Sequence, residues 1–314
     1  MFSYANNEHL VRSNLWSSEL KEVLLDRLVG MQWVDWISDF PDGDTLNIPS
    51  IGQAEVLNYS EGEAVRYQSM DTGNFTFTIG KYKSSATYIT ERMKQDSYYT
   101  NKLISSFIPK QARAISKAME VDMLAVGPLG QTANALNPIN GANHRWVAAG
   151  TNQIMTVQDF ARAKIGLDKA NVPAEMRISV VDPSVEYALN SITNLTNVSN
   201  NPRWEGIITT GLSNGMQFMK NIYGFDVYIS NNLNQNTASE TISSITTPAG
   251  INNLFFSAAS DVLPIVGALR QPPKVDSEYN KDFQREEYIT TCRYDFKLFR
   301  PENMICVVSD PTQV

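Results

Sequence analysis

The stretch Gly211 to Gly215 reads GLSNG, which matches the nucleophile elbow of α/β hydrolases around Ser213. In those enzymes the histidine that acts as the base follows the serine in the chain. The two histidines of this sequence, His9 and His144, both precede Ser213. The pattern therefore favours a turn, and a soluble α/β hydrolase remains as an alternative that loss of esterase activity on Ser213→Ala would support.

A second candidate for chemistry is a phosphate loop ending at Gly80-Lys81, in the stretch GNFTFTIGKY. Its two glycines, Gly73 and Gly80, are separated by six residues, whereas the phosphate-loop pattern needs four. Tyr82 also stands where that pattern has the serine or threonine that binds magnesium. Both differences argue against a nucleotide site.

Metal-binding patterns are equally weak. Asp39, Asp42 and Asp44 cluster in SDFPDGDT, but they lack the spacing and the closing glutamate of a calcium loop. Two histidines and two distant cysteines do not form a zinc pattern.

We expect Cys292 and Cys306 to be reduced and buried, with a disulfide between neighbouring strands as the alternative. The sequence predicts no catalytic residue, cofactor or metal.

Composition narrows the class of protein further. The chain has 314 residues, 42% hydrophobic and 19% charged, as expected of a globular protein of one large or two ordinary domains. Its net charge of −7 argues against a surface that binds nucleic acid along its whole length, although individual basic patches are compatible with it. No apolar run is long enough to span a membrane, and the N-terminus lacks the apolar core of a signal peptide.

The first third of the chain predicts one short helix and then a series of strands. SSELKEVLLDRLVG carries an apolar stripe at helical spacing. From Thr45 to Met93 the helical period disappears, and in NFTFTIGKY the residues Phe75, Phe77 and Ile79 should face one way. The polar stretch before it, SEGEAVRYQSMDTG, has little with which to build a core. We therefore expect a long hairpin that a neighbouring molecule buries.

A long helical pattern follows, over about 30 residues of QDSYYTNKLISSFIPKQARAISKAMEVDMLAVG. Pro109 interrupts it, which predicts either a kink or two helices that meet near Phe107 and Pro109. The middle of the chain reads as α/β. Thr156 and Asp159 resemble a capping box, and MRISVV resembles a buried strand.

The last part of the chain contains further strands. Asp182 should cap a helix that begins at Pro183, and Tyr223-Gly224 should form the turn between two strands. The C-terminal stretch REEYITTCRYDFKLFRPENMICVVSD predicts a long strand, a proline turn and a last strand, which we interpret as a strand pair.

This order of elements resembles the major capsid protein of tailed bacteriophages, with the Hong Kong 97 fold. The resemblance covers nearly the whole chain and rests on phrases such as NIPSIG, YSEGEAVRYQSMD, TFTIGKY, NVPAEMRISVVDP and YGFDVYIS. It implies an α+β fold in four parts. These are an N-terminal arm (1–40), an extended loop with flanking strands (41–93), a peripheral domain with a spine helix (94–127 plus 282–314) and an axial α/β domain (128–281).

The resemblance also implies a function. Such subunits are structural proteins, not enzymes, and assemble as hexamers and pentamers into icosahedral shells around double-stranded DNA, with no role for a membrane. Expected partners are the subunit itself, a scaffolding protein, a portal protein and, in some phages, a decoration protein. The place of assembly would be the host bacterial cytoplasm, and the final location the virion capsid. Because the arm starts almost at Met1, we expect the scaffolding protein to be a separate chain.

The resemblance places candidate inter-subunit contacts near the tip of the extended loop, at Glu61, Glu63, Arg66 and Tyr67. Exposed charge pairs contribute only about 0 to 1 kcal/mol each, but a shell repeats every contact many times. The nearest alternative is an encapsulin-like nanocompartment, which has a similar fold and carries enzyme cargo instead of DNA.

Some family members join subunits covalently through a lysine in the extended loop, an asparagine on a neighbour and an assisting glutamate. Lys81 and Lys83 lie in the matching region and are the candidate crosslink lysines. They stand at the base of the returning strand instead of at the tip of the loop. Their position therefore argues against a crosslink in this protein.

Overall fold

The computed structural model describes residues 30–37, 43, 45–51, 61, 72–96, 100–190 and 217–312, which form five helices and sixteen strands. The helices are α1 (Glu91–Asp96), α2 (Thr100–Leu124), α3 (Val126–Gly130), α4 (Val157–Lys169) and α5 (Pro183–Asn190). The first eight strands are β1 (Val34–Ile37), β2 (Thr45–Ile51), β3 (Thr72–Thr78), β4 (Lys81–Thr90), β5 (Pro138–Ile139), β6 (Ala142–Asn143), β7 (Arg145–Val147) and β8 (Arg177–Val181). The remaining strands are β9 (Gln217–Ile222), β10 (Phe225–Ile229), β11 (Glu240–Ile242), β12 (Ile245–Thr247), β13 (Ile251–Ser257), β14 (Ile265–Asn280), β15 (Arg285–Leu298) and β16 (Ile305–Ser309).

A four-stranded sheet has the order β1-β14-β15-β4. Its centre is the long antiparallel hairpin of β14 and β15, which pairs from Ile265 with Leu298 to Asn280 with Arg285. Strand β4 lies antiparallel to β15, and β1 lies parallel to the start of β14. Residues 34–37, 81–90 and 265–298 thus meet in one sheet although they are far apart in the chain.

A six-stranded sheet has the order β7-β16-β13-β8-β10-β9. The predicted buried strand MRISVV is confirmed, since every residue of β8 is buried. The predicted turn at Tyr223-Gly224 is also confirmed. Both residues have positive φ, 51° and 86°, as the tightest hairpin turns require.

The two C-terminal strands do not pair with each other, so the interpretation of that region as a strand pair was wrong. Strand β15 lies in the four-stranded sheet, whereas β16 lies between β13 and β7 in the six-stranded sheet. The turn at Pro301–Asn303 is present as predicted. It carries the chain from one sheet to the other instead of folding it back on itself.

Helix α2 runs without interruption through Pro109. The two-helix alternative for this stretch was therefore wrong. Its inner face buries Ile115, Met119 and Met123 in a core that includes Tyr294 and Phe296 of the four-stranded sheet. The same core takes in side chains from one face of the six-stranded sheet, namely Ile178, Val180, Leu254, Phe256 and Cys306.

Helices α4 and α5 cover the opposite face of the six-stranded sheet. The capping box at the start of α4 is confirmed, because Asp159 Oδ2 accepts a hydrogen bond from the Thr156 N–H at 2.9 Å. The cap at Asp182 is also confirmed, since its carboxylate accepts from the Ser184 N–H at 2.9 Å. The core beneath these helices contains Phe160, Val181, Leu189, Phe225, Phe255 and Ile305.

Strands β2 and β3 form the base of the predicted extended hairpin, with Thr45 opposite Thr78 and Ile51 opposite Thr72. The predicted alternation in β3 is confirmed, because Phe77 and Ile79 are buried and Asn74, Thr76 and Thr78 are exposed. These two apolar side chains pack against Val266 and Ala268 of β14. The subunit therefore buries the base of the hairpin itself, whereas we expected burial mainly by a neighbour.

Candidate functional sites

Of the residues that suggested catalysis, the structure describes His144. Ser213 lies outside the described residues. The His144 ring is fully buried, and its two nitrogens lie 3.2 Å from the backbone oxygens of Ala142 and Glu302. Burial lowers the pKa of His144, so the ring is held neutral as a structural group. Among the residues that can be placed, no group of three or more His, Cys, Asp or Glu side chains could hold a metal ion, and no helix is long and apolar enough to cross a membrane.

The two cysteines are free and buried, which confirms the prediction of reduced thiols over a disulfide. Cys292 lies in β15 and Cys306 in β16, so the strands that carry them belong to different sheets. Burial raises the pKa of Cys292 and raises that of Cys306 to about 12. Both thiols are therefore core side chains of low reactivity.

We expect iodoacetamide at pH 8 to leave both cysteines unmodified in the folded protein and to modify both after denaturation. The thiolate is the reactive form, and with a pKa of about 12 only about one Cys306 in ten thousand is ionised at pH 8. Peptide mass spectrometry before and after denaturation measures this. Rapid alkylation of either cysteine in the folded protein would contradict the burial described above.

Of the four candidate contact residues near the loop tip, Glu61 is described and is exposed. Glu63, Arg66 and Tyr67 lie outside the described residues. The role of these four side chains in contacts between subunits therefore stays a prediction.

The two candidate crosslink lysines face the long helix of their own subunit. Lys81 Nζ lies 3.1 Å from Asp122 Oδ1, and Lys83 Nζ lies 3.6 Å from Asp122 Oδ2. The Tyr294 hydroxyl donates to the same carboxylate at 2.8 Å. Asp122 thus connects β4 and β15 to α2, and both lysines already have an anionic partner at the base of the hairpin.

A buried ionic network between the six-stranded sheet and the β11–β12 hairpin has no signal in the sequence. Arg145 Nε and Nη2 each donate to a carboxylate oxygen of Glu240 at 2.8 Å, and both side chains are at most 5% exposed. Asn252 and Asn236 extend the network by hydrogen bonding to Arg145 and Glu240, respectively, while Arg145 Nη1 is buried without a hydrogen-bond partner. Burial alone would raise the pKa of Glu240, but the hydrogen bonds from Arg145, Asn134 and Asn236 outweigh it and lower the pKa.

Arg145 and Glu240 are 95 positions apart in the chain, and their pairing fastens the β11–β12 hairpin to strand β7. Neither residue belongs to a short motif, so only the fold reveals the pair. Two hydrogen bonds between a guanidinium and a carboxylate fix the relative orientation of the two groups. The pair therefore fixes the position of the β11–β12 hairpin on the six-stranded sheet, and both side chains are buried from solvent.

The end of the four-stranded sheet carries exposed aromatic side chains. Phe283 is 65% exposed and Tyr88 is 58% exposed. The guanidinium of Arg285 lies over both rings, 4.6 Å from the Tyr88 centroid and 4.7 Å from the Phe283 centroid. Large exposed rings are typical of surfaces that other molecules cover. This end of the sheet is thus a candidate contact surface.

Comparison with solved structures shows where this architecture occurs. A structure from Mycobacterium phage Che8 has 18% identity and a TM-score of 0.57, over 87% of this chain and 86% of that chain. The capsid of the cyanophage P-SCSP1u has 14% identity and a TM-score of 0.64, over 89% and 87%. A virus-like particle from Pyrococcus furiosus has 12% identity and a TM-score of 0.50, over 94% and 99%. At these identities the likeness concerns the fold.

No curated protein matches the sequence. A family model described as phage capsid protein matches residues 74–307, which include most of β3, all of α2 and both large sheets except β1 and the last two residues of β16. The predicted α+β capsid fold is thus confirmed. The chain belongs to the phage capsid protein family, and it is a structural, non-enzymatic capsid subunit of the tailed-phage type.

Proposed function

We propose that this protein is the major capsid subunit that assembles as hexamers and pentamers into an icosahedral shell around double-stranded DNA. The family match over residues 74–307 is the observation that carries the proposal. Two physical features support it. The β2–β3 hairpin is anchored at its base on β14, which leaves the segment between Ile51 and Thr72 as the part that we propose contacts a neighbour. The net charge of −7 suits a lining that must not adhere to DNA along its length.

We further propose that the subunit has four parts, with an arm at 1–40, an extended loop at 41–93, a peripheral domain at 94–127 plus 282–314 and an axial domain at 128–281. Helix α2 is then the spine helix. The last strand, β16, pairs within the sheet of the axial part, so it would connect the two domains. A scaffolding protein, a portal protein and a decoration protein are the partners that such a shell in the host cytoplasm would use.

Electron microscopy of negatively stained particles, with nuclease treatment before DNA extraction, tests the function. We expect closed icosahedral particles that protect DNA. Particles that hold protein cargo and no protected DNA would instead favour the encapsulin-like alternative.

On a denaturing gel the same particles should give a single monomer band, because Lys81 and Lys83 are engaged with Asp122. A ladder of multiples would show a crosslink.

The loop tip should gain protection from hydrogen exchange on assembly. We propose that residues 60–71, including Glu61, Glu63, Arg66 and Tyr67, lie against an adjacent subunit. Their amides should exchange more slowly in shells than in unassembled subunits, whereas those of β3 around Phe77, which is buried within the subunit, should change little. Equal exchange of residues 60–71 in both states would contradict the proposed contact.

A further inference from the structure

The sequence around most of α2 is basic, whereas the chain as a whole carries a net negative charge. Residues 97–119 contain four basic side chains and no acidic one, in a protein whose net charge is −7. Three of the four, Lys110, Arg113 and Lys117, are described and exposed. This local excess of positive charge is not used by any contact discussed above.

Helical geometry places the three side chains on one face. Their spacing of three and four residues is the spacing of neighbours along a helix surface. From Lys110 to Lys117 the ridge extends about 10 Å at 1.5 Å per residue. The opposite face of the helix carries Ile115 and Met119, which are buried against the sheets. We call Lys110, Arg113 and Lys117 the cationic ridge.

The described acidic side chains oppose the charge of this ridge only at Lys117, through Glu120. Within the part of the chain that the structure describes, none of the three cations forms an ion pair. The nearest acid along the helix, Glu120, is one turn from Lys117 and is partly buried; burial raises its pKa, although the hydrogen bonds from Asn232 and Ser230 and the positive charge of Lys117 oppose this rise. The carboxylate of Asp122 is held by Lys81, Lys83 and Tyr294.

We propose that the cationic ridge binds the phosphate backbone of the enclosed duplex, and this inference rests on the proposed function. Duplex DNA carries one negative charge per about 1.7 Å of its axis. Three cations over about 10 Å therefore lie near phosphates wherever the ridge is placed along the duplex. Ile115 is the one large aliphatic residue between Lys110 and Lys117 and it is buried, so the exposed ridge carries no aromatic or large aliphatic side chain there. Protein partners bind through such apolar anchors, so the surface fits a polyanion better than a protein.

A ridge of this size reconciles an acidic subunit with contact to DNA. Three phosphate contacts give a slope of about −2.7 in log affinity against log salt, which is a weak and strongly salt-dependent interaction. Each subunit would hold the duplex at one place, and the acidic remainder of the chain would keep it from adhering elsewhere. The DNA is thereby positioned along the shell without being immobilised.

The first test compares two triple variants of the full-length, unassembled subunit. The ridge variant is K110Q/R113Q/K117Q. The control variant, R162Q/K164Q/K169Q, removes three exposed cations from α4 and so has the same net charge. Binding of a fluorescent 30-base-pair duplex should weaken by about 40-fold for wild type between 50 and 200 mM salt. The ridge variant should lose this dependence and the control should keep it; an equal loss in both, or in neither, would overturn the inference.

The second test locates the contact in particles. Acetylation of Lys110 and Lys117, followed by peptide mass spectrometry, should be slower in DNA-filled particles than in the same particles after DNA release, with the exposed Lys274 as reference. Equal acetylation rates of Lys110 and Lys117 before and after DNA release, in particles that do protect DNA, would overturn the proposed contact of the cationic ridge with DNA. They would leave the proposed function of the protein intact. Protection only in particles that hold a scaffolding protein and no DNA would identify a protein partner and also overturn the proposed contact. Wild-type particles without protected DNA would instead refute the proposed function.

Discussion

Replacing Glu240 by alanine should lower the subunit's free energy of unfolding by about 3–5 kcal/mol. The variant leaves the Arg145 guanidinium buried, at 2% exposure, without the carboxylate that accepts two of its hydrogen bonds at 2.8 Å. An uncompensated buried charge is among the most destabilising changes known in a protein core. Urea unfolding of the unassembled, full-length subunit measures the effect.

The control for this prediction is Asp276→Ala, which breaks an exposed pair with Lys274 and should cost only about 0 to 1 kcal/mol. A double variant, Arg145→Met with Glu240→Leu, removes both charges. It should recover a large part of the loss, because replacing a buried pair by apolar residues is often close to neutral. A single Glu240→Ala variant as stable as the Asp276→Ala control would contradict the buried network.

The same pair predicts a dependence of stability on pH. The folded-state pKa of Glu240 is lowered below its ordinary value of 4.5, so the folded protein binds this proton less readily than the unfolded chain does. Its contribution to stability is therefore fully present above about pH 4.5 and is lost as the pH falls through the folded-state pKa. The Arg145→Met, Glu240→Leu variant should lack this part of the acid sensitivity.

Local signals in the sequence predicted local structure well. The capping box of Thr156 and Asp159 and the turn at Tyr223-Gly224 are determined by residues within a few positions of each other, and both are present. The alternation of Phe75, Phe77 and Ile79 likewise placed the right face of β3 toward the core. Such features depend on interactions between residues that are only a few positions apart in the sequence.

Features that depend on distant partners were missed or misjudged. Nothing near Ile305–Ser309 indicates that β16 leaves β15 to lie between β13 and β7. Helix α2 continues through Pro109, although a proline in a helix interior costs about 3 kcal/mol or more. The Arg145–Glu240 pair joins residues 95 positions apart and has no sequence pattern.

Trp33 is the second residue at which a single substitution should have a large effect. It is 4% exposed and lies at the point where the N-terminal segment enters the four-stranded sheet, directly before β1. Its ring makes edge contacts with two rings of the six-stranded sheet, 5.4 Å from the Tyr228 centroid and 5.7 Å from the Phe256 centroid. Trp33 therefore belongs to the core that α2 shares with both sheets.

We expect Trp33→Ala to cost about 3–5 kcal/mol, since it removes a large buried ring and leaves a cavity between the two sheets. Trp33→Phe should retain most of the stability. Trp36→Ala is the matched control and should cost much less, because Trp36 is 38% exposed. Urea unfolding gives the free energies, and hydrogen exchange reports whether β1 separates from β14. If only the amides of residues 34–37 lost protection while the global free energy stayed unchanged, Trp33 would anchor the N-terminal strand alone and would not hold the two sheets together.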